Sequence, residues 1–326
     1  MKRSRSFRLR RVRRAITRMG WWCGTAALLP AAFWLVRAPQ HPHAVSAATL
    51  RHSPVKAQAA RAAAPAEAHI PTRATSEMMS ELQLQLQEAV AHAPARMAAV
   101  YVKDIGSGLS AAANPNRQFV AASLIKLPVM GTTYAHWEHH PEQKTANARR
   151  WMEWMITVSD NASTDRLIDL VDGPERVTRF CTERGWSTLQ VRHAILNHRG
   201  RGGRNTCTAR EMAELLVKLD RRSLVSAKAD EEMWQVLCRS KKLHRIPAGV
   251  PRAPGIQVGN KTGTLGNVLH DAAIVRTPRT HYAICILLSG QHGEESGNAF
   301  CREISQLVFD TLHGPVDLPQ NIAKNG

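Results

Sequence analysis

No segment of the 326-residue chain repeats another, and its six cysteines follow no spacing of a metal knot. A repeat architecture and a cysteine-bound metal fold are therefore set aside. Acid is missing from the first twenty residues, which hold nine of the basic residues, from Lys2 and Arg3 through Arg18. Half of the formal net charge of +18 thus belongs to a basic tip, and nucleic acid is not expected as a partner of the folded part. Charge of either sign is missing from "MGWWCGTAALLPAAFWLV" (19–36), which Arg37 closes. A basic flank followed by such a run reads as a signal peptide or a short membrane anchor with its Arg-rich side in the cytoplasm. Pro30 and the small residues of "HAVSAA" (43–48) favour cleavage, and the length of the run favours an anchor. Both readings export the rest of the chain to a periplasmic or extracellular location. Cys23 opens the apolar run instead of following a small-residue site at its end, so it reads as an inert thiol and not as a lipid attachment point. Cys181, Cys207, Cys238, Cys285 and Cys301 are expected as mostly buried thiols with at most one or two bridges.

What is present begins after an Ala/Pro/His-rich linker. The expected organisation is a cytoplasmic tip (1–20), the signal or anchor segment (21–37), a flexible linker (38–75), one domain (76–314) and a tail (315–326). "SEMMSELQLQLQEAVAHA" has helical period and opens on Ser76 as a candidate cap. "RMAAVYVKDI" reads as a strand that turns at Gly106-Ser107-Gly108 and returns through "LSAAANP". From Ser123 to about 245 the pattern is helical. It then changes to period two in "GIQVGNKTGT", "HDAAIVRTP" and "HYAICILLSG", and closes on the helix "GNAFCREISQLVFDTLHG". The fold class expected is α/β (α+β): an antiparallel sheet of N- and C-terminal strands flanked by helices, with an all-helical insert between.

Three polar triplets interrupt these patterns: Ser123-x-x-Lys126 in "AASLIKLPVM", Ser159-Asp160-Asn161, and Lys261-Thr262-Gly263. Positions i and i+3 share a helix face, so Ser123 and Lys126 point the same way. A serine that attacks a carbonyl needs a base, a donor to the leaving nitrogen and donors to the oxyanion. Lys126, desolvated by apolar neighbours and a second cation, fits the base. Ser159 fits the relay, Lys261 eases nearby charge, and Asn161 fits an amide side chain of the substrate. The backbone N–H groups of Ser123 and Thr264 would bracket an oxyanion.

The ordered set SxxK, SDN, KTG resembles the signature of the penicillin-recognising serine enzymes, the class A β-lactamases and related D,D-peptidases. "FVAASLIKLPVM", "MITVSDNASTDRLIDLV", "NTCTAREMAELL" and "VGNKTGTLGNVLHDAAIV" extend the likeness over roughly residues 78–313. The resemblance implies a β-lactamase-like fold and assigns catalytic roles to Ser123 (acylated nucleophile), Lys126 (proton acceptor), Ser159 (relay) and Lys261. It assigns substrate binding to Asn161, Thr262, Gly263 and Thr264, and a structural carboxylate to Asp160. His270 falls where many members keep a carboxylate-binding arginine. No cofactor or metal is implied, and the substrate is a β-lactam or a D-Ala-D-Ala peptide handled by a monomer, attached to the membrane if the N-terminal segment stays uncleaved.

Two departures stand out. Class A β-lactamases keep a glutamate four residues before a loop asparagine, where it activates the deacylating water. In "VRHAILNHRGRGGRNTC" the count back from Asn197 lands on His193, and residues 184–210 contain no acid. Ser123 and Ser159 are also only 36 residues apart, which implies a more open cleft. Three function classes therefore stay open: a β-lactam hydrolase, a penicillin-binding D,D-peptidase-like enzyme with slow deacylation, and an idle binding module. Trp137, Trp151, Trp154, Trp186 and Trp234 are expected in the core. "HWEHH" (136–140) is read as no metal site, and "RGRGGR" (199–204) as a solvated loop.

Overall fold

The computed structural model describes residues 72–196, 203–291 and 293–314. The basic tip, the apolar run, the linker up to residue 71, most of "RGRGGR", Asn197 and the tail from 315 lie outside the described residues. Among the described residues, no helix is long and apolar enough to cross a membrane.

Helix α1 (Arg73–Ala91) starts three residues before the expected cap. Thr72, not Ser76, holds the extended cap conformation and accepts from Thr75 N, while Ser76 N already donates to Thr72 O. Its buried Met79, Leu82 and Leu86 recur at helical spacing. Strand β1 (Ala95–Asp104) turns back through a loop in which Ser107 N donates to the Asp104 carboxylate and Gly108 takes φ 74°, giving β2 (Ser110–Ala113).

The helical insert follows, from α2 (Lys126–His139) through α3 (Ala146–Thr157), α4 (Asn161–Leu170), α5 (Pro174–Thr182), α6 (Ala209–Asp220) and α7 (Ala227–Cys238). A two-residue ladder, β3 (Phe119–Val120) with β4 (Thr206–Cys207), ties the chain before α2 to the segment before α6 and was not expected from the sequence. Two residues are too few to show a period. The chain then returns to the sheet as β5 (Gln257–Leu265), β6 (Val268–Arg276) and β7 (His281–Gln291), and ends in α8 (Glu294–His313). The strands stand in the order β2-β1-β7-β6-β5, every pair antiparallel, so both termini of the domain build one sheet as the sequence implied.

Alternation on β7 explains why that sheet is apolar on both faces. Ala283, Cys285 and Leu287 pack on the side of the helical insert, whereas Tyr282, Ile284, Ile286 and Leu288 pack on the side of α1 and α8. Cys181, Cys207, Cys285 and Cys301 are buried free thiols and Cys238 is a half-buried one. Burial pushes the Cys181 thiol up to about 12, which removes the nucleophilic thiolate. Trp137, Trp186 and Trp234 are core residues, and Trp151 packs half-buried against the same core. Trp154 departs from the expectation: it is 46% exposed, with the Arg150 guanidinium 5.8 Å from its ring centroid.

Gly249, in the turn Ile246–Gly249 that packs on α8, sits where a Cβ would run into Arg302 O and stand 2.7 Å from Ser305 Cβ. Backbone of a packed helix cannot yield as a side-chain tip can. Gly249→Ala is expected to lower the unfolding free energy by about 1–3 kcal/mol, read by chemical denaturation; an unchanged midpoint would show that the turn moves freely on α8.

Candidate active site

The apolar run around Ser123 is apolar because it is the buried centre of the insert. Leu124, Ile125, Leu127, Val129 and Met130 are all fully buried. Residues Ala122–Ile125 form a 3-10 turn and Lys126 opens α2, so serine and lysine, three apart, share one side of the chain. The turn is entered through Ala122 at φ 46°, a left-handed backbone that a Cβ disfavours. Ala121 N, donating to Asn205 O, holds the approach in place.

Lys126 does not hydrogen-bond Ser123 Oγ. Its amine donates to Ser159 O (2.5 Å), Ser159 Oγ (3.0 Å) and Asn161 Oδ1 (2.8 Å), which uses the three donors of an ammonium. Burial brings this amine down to about 8, against the pull of the Asp160 and Asp165 carboxylates. Once deprotonated it offers a lone pair to a hydroxyl. Lys261, fully buried on β5, donates to the same Ser159 Oγ at 3.1 Å and to Thr262 O at 2.7 Å. Burial first, and then the charge of Lys126, hold Lys261 well below the usual lysine range.

Ser159 itself takes φ 65°. Asp160 stabilises that turn as expected: it caps α4, its Oδ1 accepting from Ser163 N at 2.7 Å, and its hydrogen bonding to Ser163 keeps the carboxyl below its ordinary range. Asn161 is the first residue of α4 and faces Lys126 through its Oδ1.

Strand β5 is the sheet edge, and Gly263 lets it come close to the nucleophile turn. A Cβ there would stand 3.4 Å from both Ala121 O and Ala122 Cβ. Thr262 is buried beside it and Thr264 is exposed. Arg245 was missed in the sequence, since "HRIPAG" carries no pattern that marks a buried guanidinium. Only 1% exposed, it donates from Nη1 to Gly263 O (3.2 Å) and His270 O (2.8 Å), from Nη2 to Thr264 Oγ1 (2.8 Å) and from Nε to Asn298 Oδ1 (2.8 Å).

His270 corrects its expected role. It pairs with Gly263 across the ladder and its ring is fully buried, with Nε2 2.8 Å from Val120 O and Nδ1 2.8 Å from Leu269 O. Burial pushes it down to about 4, so the imidazole is neutral and supplies no charge to a substrate carboxylate. The cation beside Thr264 is Arg245.

His193 is half-buried in a loop held by groups the sequence did not single out. Asn205 Oδ1 accepts from Arg192 N (2.8 Å) and His193 N (3.3 Å), and Asp165 accepts from Ile195 N (2.6 Å) and Leu196 N (2.8 Å). The ring Nδ1 lies 2.8 Å from Ala194 O. In "HWEHH", His136 meets Gln143 Oε1 and stacks on His140; among the described residues no group of His, Cys, Asp and Glu is arranged to hold a metal ion.

The motif triplets and their order agree with a family model described as the beta-lactamase enzyme family, which matches residues 81–140 and 134–312. The chain belongs to the β-lactamase enzyme family. It is a serine hydrolase of that family, with the mixed helix and antiparallel-sheet fold of its members. Solved structures share this fold at low identity. PBP-A is 23% identical, with 72% of this chain and 97% of that one covered at a TM-score of 0.65. A mutant of PBP-A, solved as an acyl-enzyme complex with penicillin G, matches with the same identity, coverage and TM-score. The β-lactamase of Sphaerobacter thermophilus DSM 20745 is 20% identical over 73% of this chain and 98% of that one, at 0.64. No curated protein matches the chain.

The lowered lysines give a signed pH expectation. A base must be neutral, so below about pH 8 Lys126 is mostly protonated and acylation should rise about tenfold per pH unit, levelling off above. Because two amines share Ser159, the apparent value belongs to the pair. Second-order acylation by a penicillin, followed from about pH 6 to 9.5, checks this; a flat profile removes Lys126 as the base.

Proposed function

We propose that Ser123 opens β-lactam amides through an acyl-enzyme, and that this chain acylates far faster than it deacylates. The observation that carries the acylation half is Ser159 Oγ, held 3.0 Å from Lys126 Nζ and 3.1 Å from Lys261 Nζ. Neutral Lys126 takes the proton of Ser123 as Oγ attacks the carbonyl carbon. When the C–N bond breaks, Ser159 gives its proton to the leaving nitrogen and regains one from Lys126. Lys261, Thr262 and Thr264, with Arg245 behind the strand, supply positive potential and donors for a substrate carboxylate. Asn161 holds the substrate amide.

The deacylation half rests on a different observation. No acid occurs between residues 184 and 210, and His193 occupies the position at which class A β-lactamases keep their water-activating glutamate. This favours the second reading, a penicillin-binding D,D-peptidase-like enzyme for D-Ala-D-Ala peptides, and the likeness to PBP-A supports it. The converging site groups speak against an idle module. The basic tip and apolar run support export across the cytoplasmic membrane, with attachment through the N-terminal segment where it is retained, and with the domain acting as a monomer on the cell wall.

Mixing the chain with a chromogenic cephalosporin, with intact mass and colour followed together, tests both halves. A persistent adduct of one per chain, colour near one equivalent and loss of both in Ser123→Ala are expected. Sustained colour without adduct would establish efficient turnover, and the absence of any adduct would sink the acyl-enzyme. His193→Glu is expected to shorten the adduct lifetime by about 10²-fold, the scale of a placed general base.

A further inference from the structure

Away from the acyl-transfer site, α2 and α5 close on each other at Gly131, where a Cβ would stand 2.9 Å from Phe180 Cζ. Beside that contact the two helices line an open concavity of about 220 Å³. His136 and His139 enter it from α2, Arg176 and Arg179 from α5, and Glu183 and Arg184 from the residues just after α5. Each helical pair is spaced i, i+3, so its members share a face.

The charges in this cavity do not balance. Three guanidiniums face one carboxylate. Arg184 is already committed: Nη1 donates to Phe180 O, Nε and Nη2 donate to Leu224 O, and its guanidinium carbon lies 3.6 Å from the Phe180 ring centroid. It contributes charge but few donors. The side chains of Arg176 and Arg179 make no hydrogen bond or ion pair among the described residues, and Arg176 lies in the first turn of α5, where the helix dipole disfavours a cation. Both arginines are exposed to solvent and thus open to a ligand. Here Arg176 and Arg179 line one concavity from α5, opposite His136 and His139 of α2, and the unpaired donors form planar forks suited to an oxyanion.

We propose that this cavity binds a phosphate-class dianion. Three guanidiniums less the Glu183 carboxylate leave two positive charges, which match a phosphomonoester better than a carboxylate. Arg176 and Arg179 supply the direct donors, His139 a further one, and Arg184 the fixed charge behind them. Two sources share this chemistry: a soluble phosphate and the headgroup of an anionic lipid.

The test is calorimetric titration of the full chain with inorganic phosphate, with acetate, and with a short-chain phosphatidic acid below its micellar concentration. Phosphate is expected to bind at least about tenfold more tightly than acetate. The variant Arg176→Ala/Arg179→Ala is expected to lose phosphate affinity by about tenfold or more while its Ser123 acylation rate is unchanged, which also reports an intact fold. Tighter binding of the phosphatidic acid than of phosphate assigns the lipid headgroup; equal or weaker binding assigns soluble phosphate. Absence of phosphate binding overturns the proposal, as does equal affinity in the variant. Binding that persists in the variant but vanishes when Ser123 is acylated also overturns it, by placing the anion in the acyl-transfer site.

Discussion

Two buried amines hydrogen-bond one hydroxyl, and the rest of the domain is arranged so that they can. Lys126 and Lys261 are both fully buried and both reach Ser159 Oγ, so their nitrogens are at most about 6 Å apart. Two full positive charges at that distance cost about 3 kcal/mol at an effective dielectric of about 20, before desolvation is counted. The site therefore favours losing a proton, and a neutral lysine is what a serine nucleophile requires. The base role proposed for Lys126 and its burial go together: the amine gives up its proton more easily because the core around it is dry.

That arrangement requires three chain segments far apart in sequence. Lys126 comes from the first turn of a buried helix, Ser159 from a strained turn capped by Asp160, and Lys261 from the edge strand of the sheet. None of them can adjust much. The turn before Ser123 is pinned by Asn205 O, the edge strand is held from behind by Arg245, and Gly263 lets strand and turn approach. The left-handed backbone at the half-buried Ala122 and Ser159 is held by hydrogen bonds beside it, from Ala121 N to Asn205 O and from Lys126 Nζ to Ser159 O.

The groups that converge at the candidate site were legible in the sequence because they interrupt patterns. A hydroxyl and an amine in an apolar run, and a Lys-Thr-Gly in a period-two strand, stand out against their surroundings. The groups that hold them were not legible. Arg245, Asn205 and Asp165 act through backbone partners distant in sequence, and nothing local distinguishes a buried guanidinium from a solvated one. His270 was misread for a related reason: its place in the strand order was right, but the direction of its ring depends on Gly263 opposite and Val120 above. Trp154 failed likewise, since a helix period says which residues share a face but not which face is covered. That strands from both ends of the domain build one sheet was readable because most of them are long enough to show a strand pattern, unlike the two-residue ladder beside Ser123.

The structure also separates the two halves of the reaction. The groups proposed to form the acyl-enzyme sit on the helical core and the sheet edge. The loop that carries His193 is tied to that core by Asp165 and Asn205, whose carboxylate and amide are spent on backbone N–H groups. Asp165, the acid that reaches the 195–196 segment of this loop, is thus a structural anchor and not a spare base. In the proposed reading a deacylating acid would have to be added at the position of His193, in the segment whose backbone Asn205 and Asp165 hold. The groups proposed for acylation and the position where a deacylating acid would stand thus lie on different segments, so the proposed reading lets a chain keep the first set while lacking the second.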